Sequence, residues 1–202
     1  QIKAKAVSDN VVELLLKQIQ TLPKKSRRIL HIAACLGTWF DLTRLSIASD
    51  ESMSECARLL LPVLEAGLIQ QEGGDWSLGM VGVVDLSPIY LTSNNDFKAP
   101  KCRFAHDRIL QAAYQYFEEH HLTQTHLEIG RRLLAYYDDN ERQHYIFGLL
   151  KHLNEGRNLI TQPEERLLVA ELNEQAAQKN KQAGVWGVAG TYAEIGQELL
   201  PP

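Results

Sequence analysis

Apolar residues recur at helical spacing through the first third of the chain. Val11, Val12, Leu15, Leu16, Ile19 and Leu22 lie three and four positions apart behind the cap-competent Ser8, Asp9 and Asn10, which predicts a helix that Pro23 stops. The stretch RRILHIAACLG sets Ile29, Leu30, Ala33 and Ala34 on one face of a second helix, from about Lys24 to Leu36, with Gly37 as its stop. Asp41 is placed to cap a short helix over DLTRLSIAS. Ser49 or Asp50 is placed to cap a longer one over SDESMSECARLLLPVLEAGLI, which Gly67 breaks and in which Pro62 predicts a kink or an early end.

The pattern changes at Leu68. LIQQEG and DWSL, separated by Gly73 and Gly74, read as a hairpin. A polar stretch with Gly and Pro follows from Gly79 to Pro100, and its part from Ser87 to Ala99 reads as a long loop or an elongated wing. It leads to a further strand at KCRFAH. Helices followed by a strand pair is the order of a winged helix. Beyond Asp107 five amphipathic patterns follow one another: DRILQAAYQYFEE, LTQTHLEIGRRLLAYY, RQHYIFGLLKHLNEG, PEERLLVAELNEQAAQKNKQAG and WGVAGTYAEIGQELL. The last two carry small residues suited to close helix packing, Ala170, Ala176 and Ala177 in one and Ala189, Gly190 and Ala193 in the other.

The expected fold class is therefore mainly α: a winged-helix domain with a small β-hairpin wing, followed by an α-helical bundle or the start of a tetratricopeptide-like solenoid. Helices should exceed half the chain and strands should be confined to about Leu68–Phe104. The expected division is a linker over 1–8, the winged helix over 9–106, a helical domain over 107–162 and a first helical-repeat hairpin over 163–202.

Composition narrows the function. The 202 residues are 45% hydrophobic and 23% charged, with a net charge of -4 and a pI near 6.0. That balance supports a globular core and provides no basic field to displace counterions from nucleic acid. No apolar run reaches the ~18 residues needed to span a bilayer. Cys35, Cys56 and Cys102 are three and far apart, which fits buried thiols in a reducing compartment and a cytoplasmic location. The chain opens on Gln1 and reads as a piece of a longer protein.

Each candidate chemistry meets a plainer reading. EGGDW lacks the Lys-Ser or Lys-Thr of a phosphate-binding loop and is read as a turn. His120, His121 and His126 in HHLTQTH do not keep the i, i+4 spacing of helical zinc ligands and read as solvated helix-end histidines. Ser26, Ser46 and Ser54 have no nucleophile-elbow setting. The candidate recognition helix, Ser52 to Ala66, carries Arg58 against Glu55 and Glu65, a poor match to phosphate, and KKSRR at 24–28 reads as a solvated first helical turn. Tyr114, Tyr116, Phe117, Tyr136, Tyr137, Tyr145 and Phe147 read mostly as core. No catalytic constellation emerges, so this chain is expected to be no enzyme and to hold neither cofactor nor metal.

DNVVELLLKQIQTLPKKSRRILHIAACLGTWFDLTRLS, with KCRFAHDRILQAAYQYFEE and the later LLKHLNEG and ERLLVAELNEQAAQKNKQA, resembles the region just after the ATPase core in large bacterial signalling proteins of the signal-transduction NTPase (STAND, AAA-like) class. Such proteins combine a serine/threonine-kinase-like part, a nucleotide-binding module, GAF modules and a sensor histidine kinase of two-component type. In that class a Met-His-Asp motif at the last strand-to-helix junction of a winged helix contacts ADP. Ala105-His106-Asp107 resembles that motif, with Ala in place of Met. The resemblance implies that His106 donates to a β-phosphate oxygen and that Asp107 caps the helix. The alternative from the residues themselves is a buried strand-end histidine beside an ordinary cap. The implied role is noncatalytic and regulatory. The implied partners are an ATPase domain of the same longer polypeptide, holding ATP or ADP and Mg²⁺, and a protein on the helical repeats, with neither nucleic acid nor membrane. A DNA-binding regulator and a purely structural scaffold are the rival readings.

Overall fold

The computed structural model describes residues 2–73, 99–116 and 119–200, which divide into two compact units, 1–119 and 120–202. DWSL and nearly all of the long loop lie outside the described residues. Among the described residues there are ten α-helices and one three-stranded antiparallel sheet, so the protein is mainly α. No helix among them is long and apolar enough to cross a membrane.

The first unit begins with α1 (Ile2–Thr21) and α2 (Lys24–Leu36). Because no breaker precedes Asn10, α1 extends back to Ile2, and Ser8, Asp9 and Asn10 lie inside it instead of capping it. A strand the periodicity did not predict follows, β1 (Trp39–Asp41), and strands are thus not confined to Leu68–Phe104. Three residues are too short to show alternation, and β1 exists because it pairs with β3 (Lys101–Phe104), Phe40 opposite Cys102. On the other side of β3 lies β2 (Ile69–Gln71), with Ile69 opposite Phe104, giving the order β1-β3-β2. Phe40, Ile69, Cys102 and Phe104 are buried, so one sheet face closes the core.

Between β1 and β2 run α3 (Leu42–Ser49) and α4 (Met53–Glu65). Asp41 caps α3 as its sequence suggests, accepting from the Arg44 amide at 2.8 Å. The cap of α4 is neither Ser49 nor Asp50. Asp50 ends α3 in the left-handed region (φ 61°), and Ser52 caps α4 by accepting from the Glu55 amide at 3.1 Å. Pro62 ends nothing early: α4 continues to Glu65, because Arg58, whose carbonyl loses its helical donor to the proline, is exposed to water. The unit closes with α5 (Asp107–Gln115), which packs on α1 and α2 and buries Ile109, Ala112 and Ala113.

The second unit holds α6 (Glu119–Tyr136), α7 (Asp139–His144), α8 (Ile146–Glu155), a 3₁₀ turn (Arg157–Leu159), α9 (Pro163–Gln182) and α10 (Trp186–Leu199). α6 and α8 cross at van der Waals distance. A Cβ on Gly156 would lie 2.5 Å from Leu127 Cβ and 2.9 Å from its Cα, so only glycine fits there. α9 and α10 form a hairpin through Gly184 (φ 77°). Ala170, Ala176 and Ala189 are buried in it as the small-residue pattern predicts, but Gly190 and Ala193 are exposed, and α10 buries Gly196 and Leu199 in their place.

Candidate functional site

The junction between β3 and α5 is where His106 and Asp107 fall. Phe104 ends the strand with its amide donated to Thr38 carbonyl, and Ala105 donates to Leu68 carbonyl, both at 3.1 Å. These bonds fix the chain just before His106, which stands extended (φ -156°, ψ 147°) at the N-cap position of α5. Its Nδ1 accepts from the Arg108 amide at 3.1 Å, and its carbonyl accepts from the Ile109 amide at 2.9 Å.

Asp107 is therefore not the cap that the motif implied. It is the first residue of the helix, exposed, with its carboxylate in the favourable field of the helix N-terminus. The histidine takes the capping role because its ring reaches back over the first turn from the extended position, which the following residue, already helical, cannot do. An imidazole that accepts at Nδ1 carries its proton on Nε2. His106 is exposed, so that N–H is available to an acceptor outside the unit. A filled core does not surround it.

Two residues on, Arg108 is half-buried, and its guanidinium meets Gln111 at 3.4 Å. Among the described residues Arg108 is in no ion pair. Sequence reading passed over this cation, although its place two residues after His106 puts it on the same turn.

Elsewhere the histidines and cations are placed only in part as expected. His126 is no solvated helix-end residue. It is 1% exposed and meets His152 Nδ1 to Nδ1 at 2.9 Å, whereas His121 is exposed, and the side chain of His120 lies outside the described residues. The stripe Leu122, His126, Ile129, Leu133 carried that signal. KKSRR is the solvated turn expected at Lys24, Lys25 and Arg28, which are exposed, but not throughout. Ser26 is buried, Arg27 donates to Tyr116 Oη at 2.9 Å, and Arg28 donates to Glu51 at 3.2 Å. Arg58 is held by both carboxylate oxygens of Glu55, at 2.6 and 2.7 Å. Of the aromatic residues, Tyr137 is buried and stacks on Tyr145, but Tyr136, Tyr145 and Phe147 are exposed, and Phe117 lies outside the described residues.

Three thiols are buried and free. Desolvation pushes Cys56 up to about 11 and Cys102 up to about 12, which leaves them protonated at neutral pH. Among the described residues no three His, Cys, Asp or Glu side chains are gathered to hold a metal ion.

No family model matches this chain, and no solved structure does. The chain is similar to hybrid signal transduction histidine kinase G of Dictyostelium discoideum, 26% identical over 227 aligned positions. Those positions take in 99% of this chain and 7% of that protein, so the chain corresponds to a small part of its relative. The relation is distant, and it places the chain with a region of a large signal-transduction protein.

Proposed function

We propose that this chain is a noncatalytic regulatory region of a signalling protein, in which the first unit reads the nucleotide state of an ATPase domain elsewhere in the longer polypeptide and the second receives a protein partner. One observation carries the reading: His106 is anchored at the strand-to-helix junction by Nδ1, which accepts from the Arg108 amide, and the residue is exposed, which leaves its Nε2–H open to an outside acceptor. A buried strand-end histidine would spend both nitrogens on the fold. The element order, with a strand between α2 and α3 and a strand pair closing onto it, supports the winged-helix reading. The relation to a hybrid histidine kinase supports the signalling context.

The geometry also limits how a phosphate would be held. The amides of Arg108, Ile109 and Leu110 are engaged by His106 itself, so the helix end offers few free donors. The contact would rest on His106 Nε2–H, with the Arg108 guanidinium as the neighbouring cation and the exposed Asp107 carboxylate opposing the charge. Binding of ADP across the junction would stabilise a closed state, and its exchange for ATP would release that state. DNA binding is disfavoured, since Glu55 neutralises the cation that α4 would present.

The test is ADP release from the longer protein with His106→Asn, which keeps an N-cap acceptor and removes the outward N–H. A charge-assisted bond of about 2 kcal/mol predicts release roughly thirtyfold faster and higher basal signalling. Unchanged release sinks the reading.

A further inference from the structure

The hairpin of α9 and α10 has two faces. Val169, Leu172 and Ala176 are buried on the inner one. The other carries an open cavity of about 420 Å³ to which α9 contributes positions i, i+3, i+4 and i+7 counted from Leu167, and α10 contributes Ala193, Gly196 and Gln197, with Leu200 just past its end. Its floor is small, formed by Ala170 and Gly196, and because the hairpin is antiparallel its two exposed leucines, Leu167 (49%) and Leu200 (44%), stand together at one end. A stripe of eight residues rises about 10 Å, or two helical turns. That is the length over which a single helix presents three anchors.

One edge of the cavity is acidic. Glu171 and Glu174 are exposed, and neither is in an ion pair among the described residues. Their positions one turn on are Gln175 and Gln178, and Gln178 donates to Glu174 at 3.3 Å without neutralising it. A groove with a narrow small-residue floor, two leucines at one end and uncompensated carboxylates along the α9 side fits one kind of occupant.

We infer that this groove binds an amphipathic α-helix whose apolar stripe is flanked by Lys or Arg, presented by a partner protein. The small floor lets the helix axis come close. The paired leucines meet one terminal anchor, and Glu171 and Glu174 select the cationic flank and set its direction. The inference rests on the reading of the second unit as a partner platform and gives that platform its ligand chemistry.

Fluorescence anisotropy with the full chain and a labelled designed helix of about 18 residues tests it. The helix carries Leu at i, i+3 and i+7 with Lys on one flank, and a twin carries Glu in place of each Lys. The Lys helix is expected to bind roughly tenfold tighter than its twin, and Glu171→Lys with Glu174→Lys to reverse that preference while circular dichroism stays the same. Equal affinity for the twins, or no saturable binding by either, overturns the inference. So does self-association of the chain that Leu167→Glu abolishes, since a second copy would then be the occupant. A polypeptide extended past residue 202 that no longer takes the helix overturns it as well, by filling the groove itself. None of these outcomes moves ADP release at His106, so the two readings fail separately.

Discussion

The two units solve the same packing problem with different chemistry. The first closes a core of aliphatic side chains, Phe40, Phe104 and buried thiols, and its main buried polar group at a helix seam is His31, whose Nδ1 donates to Ala113 carbonyl at 3.1 Å and so ties α2 to α5. The second buries polar groups in facing pairs. His126 meets His152, and the amides of Asn154 and Asn173 bond each other reciprocally at 2.8 and 2.9 Å, with Asn173 also donating to Val169 carbonyl. An aliphatic seam tolerates sliding at modest cost, because one methyl contact replaces another. Reciprocal polar pairs are satisfied in one register only, so they fix how α6, α8 and α9 cross. The unit that would display a groove to a partner is thus the one with the more specified helix geometry.

That contrast is broken most severely at Gly156. Adding one methyl there places it against Leu127 backbone, with no flexible chain end to give way. Gly156→Ala should cost the second unit about 3 kcal/mol. Hydrogen exchange should show the loss in α6 and α8 and leave the amides of α2 and α4 protected as before. Protection lost equally in both units would show that their stabilities are not separable.

The first unit responds to pH through its own seam. Burial is the larger influence on His31 and lowers it below its ordinary value of 6.5, against the raising effect of Ala113 carbonyl. The unfolded chain then binds more protons than the folded one in the window below 6.5, so stability rises with pH there. This contribution is complete above 6.5 and is lost as pH falls through the folded value. Urea midpoints of the first unit should fall on acidification below 6.5, and His31→Gln should flatten that dependence. A slope the substitution leaves unchanged would assign the pH response to other groups.

Much of this was legible from residue pattern, and the misses share a cause. Helices α2, α3, α9 and α10 follow from periodicity and punctuation, since Asp41, Gly37 and Gly184 act within a few residues of where they stand. β1 was not legible because three residues acquire strand geometry only by pairing with Lys101–Phe104, some sixty positions away. The burial of His126 and the engagement of Arg27 and Arg28 are likewise set by distant partners, His152, Tyr116 and Glu51. At the candidate site, His106 and Asp107 were picked out by resemblance, but their roles at the helix end were assigned one position too late. A one-residue difference in where φ and ψ turn helical decides which side chain can reach the first-turn amides.

The smallest effect sharpens that last point. With His106 as N-cap, His106→Ala in this chain should destabilise the first unit by about 1 kcal/mol, because the Arg108 amide loses its acceptor. His106→Asn should cost almost nothing, since asparagine caps from the same extended backbone. Asp107→Ala should cost only about 0.3 to 1 kcal/mol, the worth of an exposed carboxylate in a first helical turn. Thermal melts of the three variants distinguish the roles by rank: Ala at 106 worst, Ala at 107 next, Asn at 106 closest to the parent. If Asp107→Ala proves the most damaging, the carboxylate is the cap in solution, the imidazole is not anchored by Nδ1, and the outward direction of its Nε2–H loses its support.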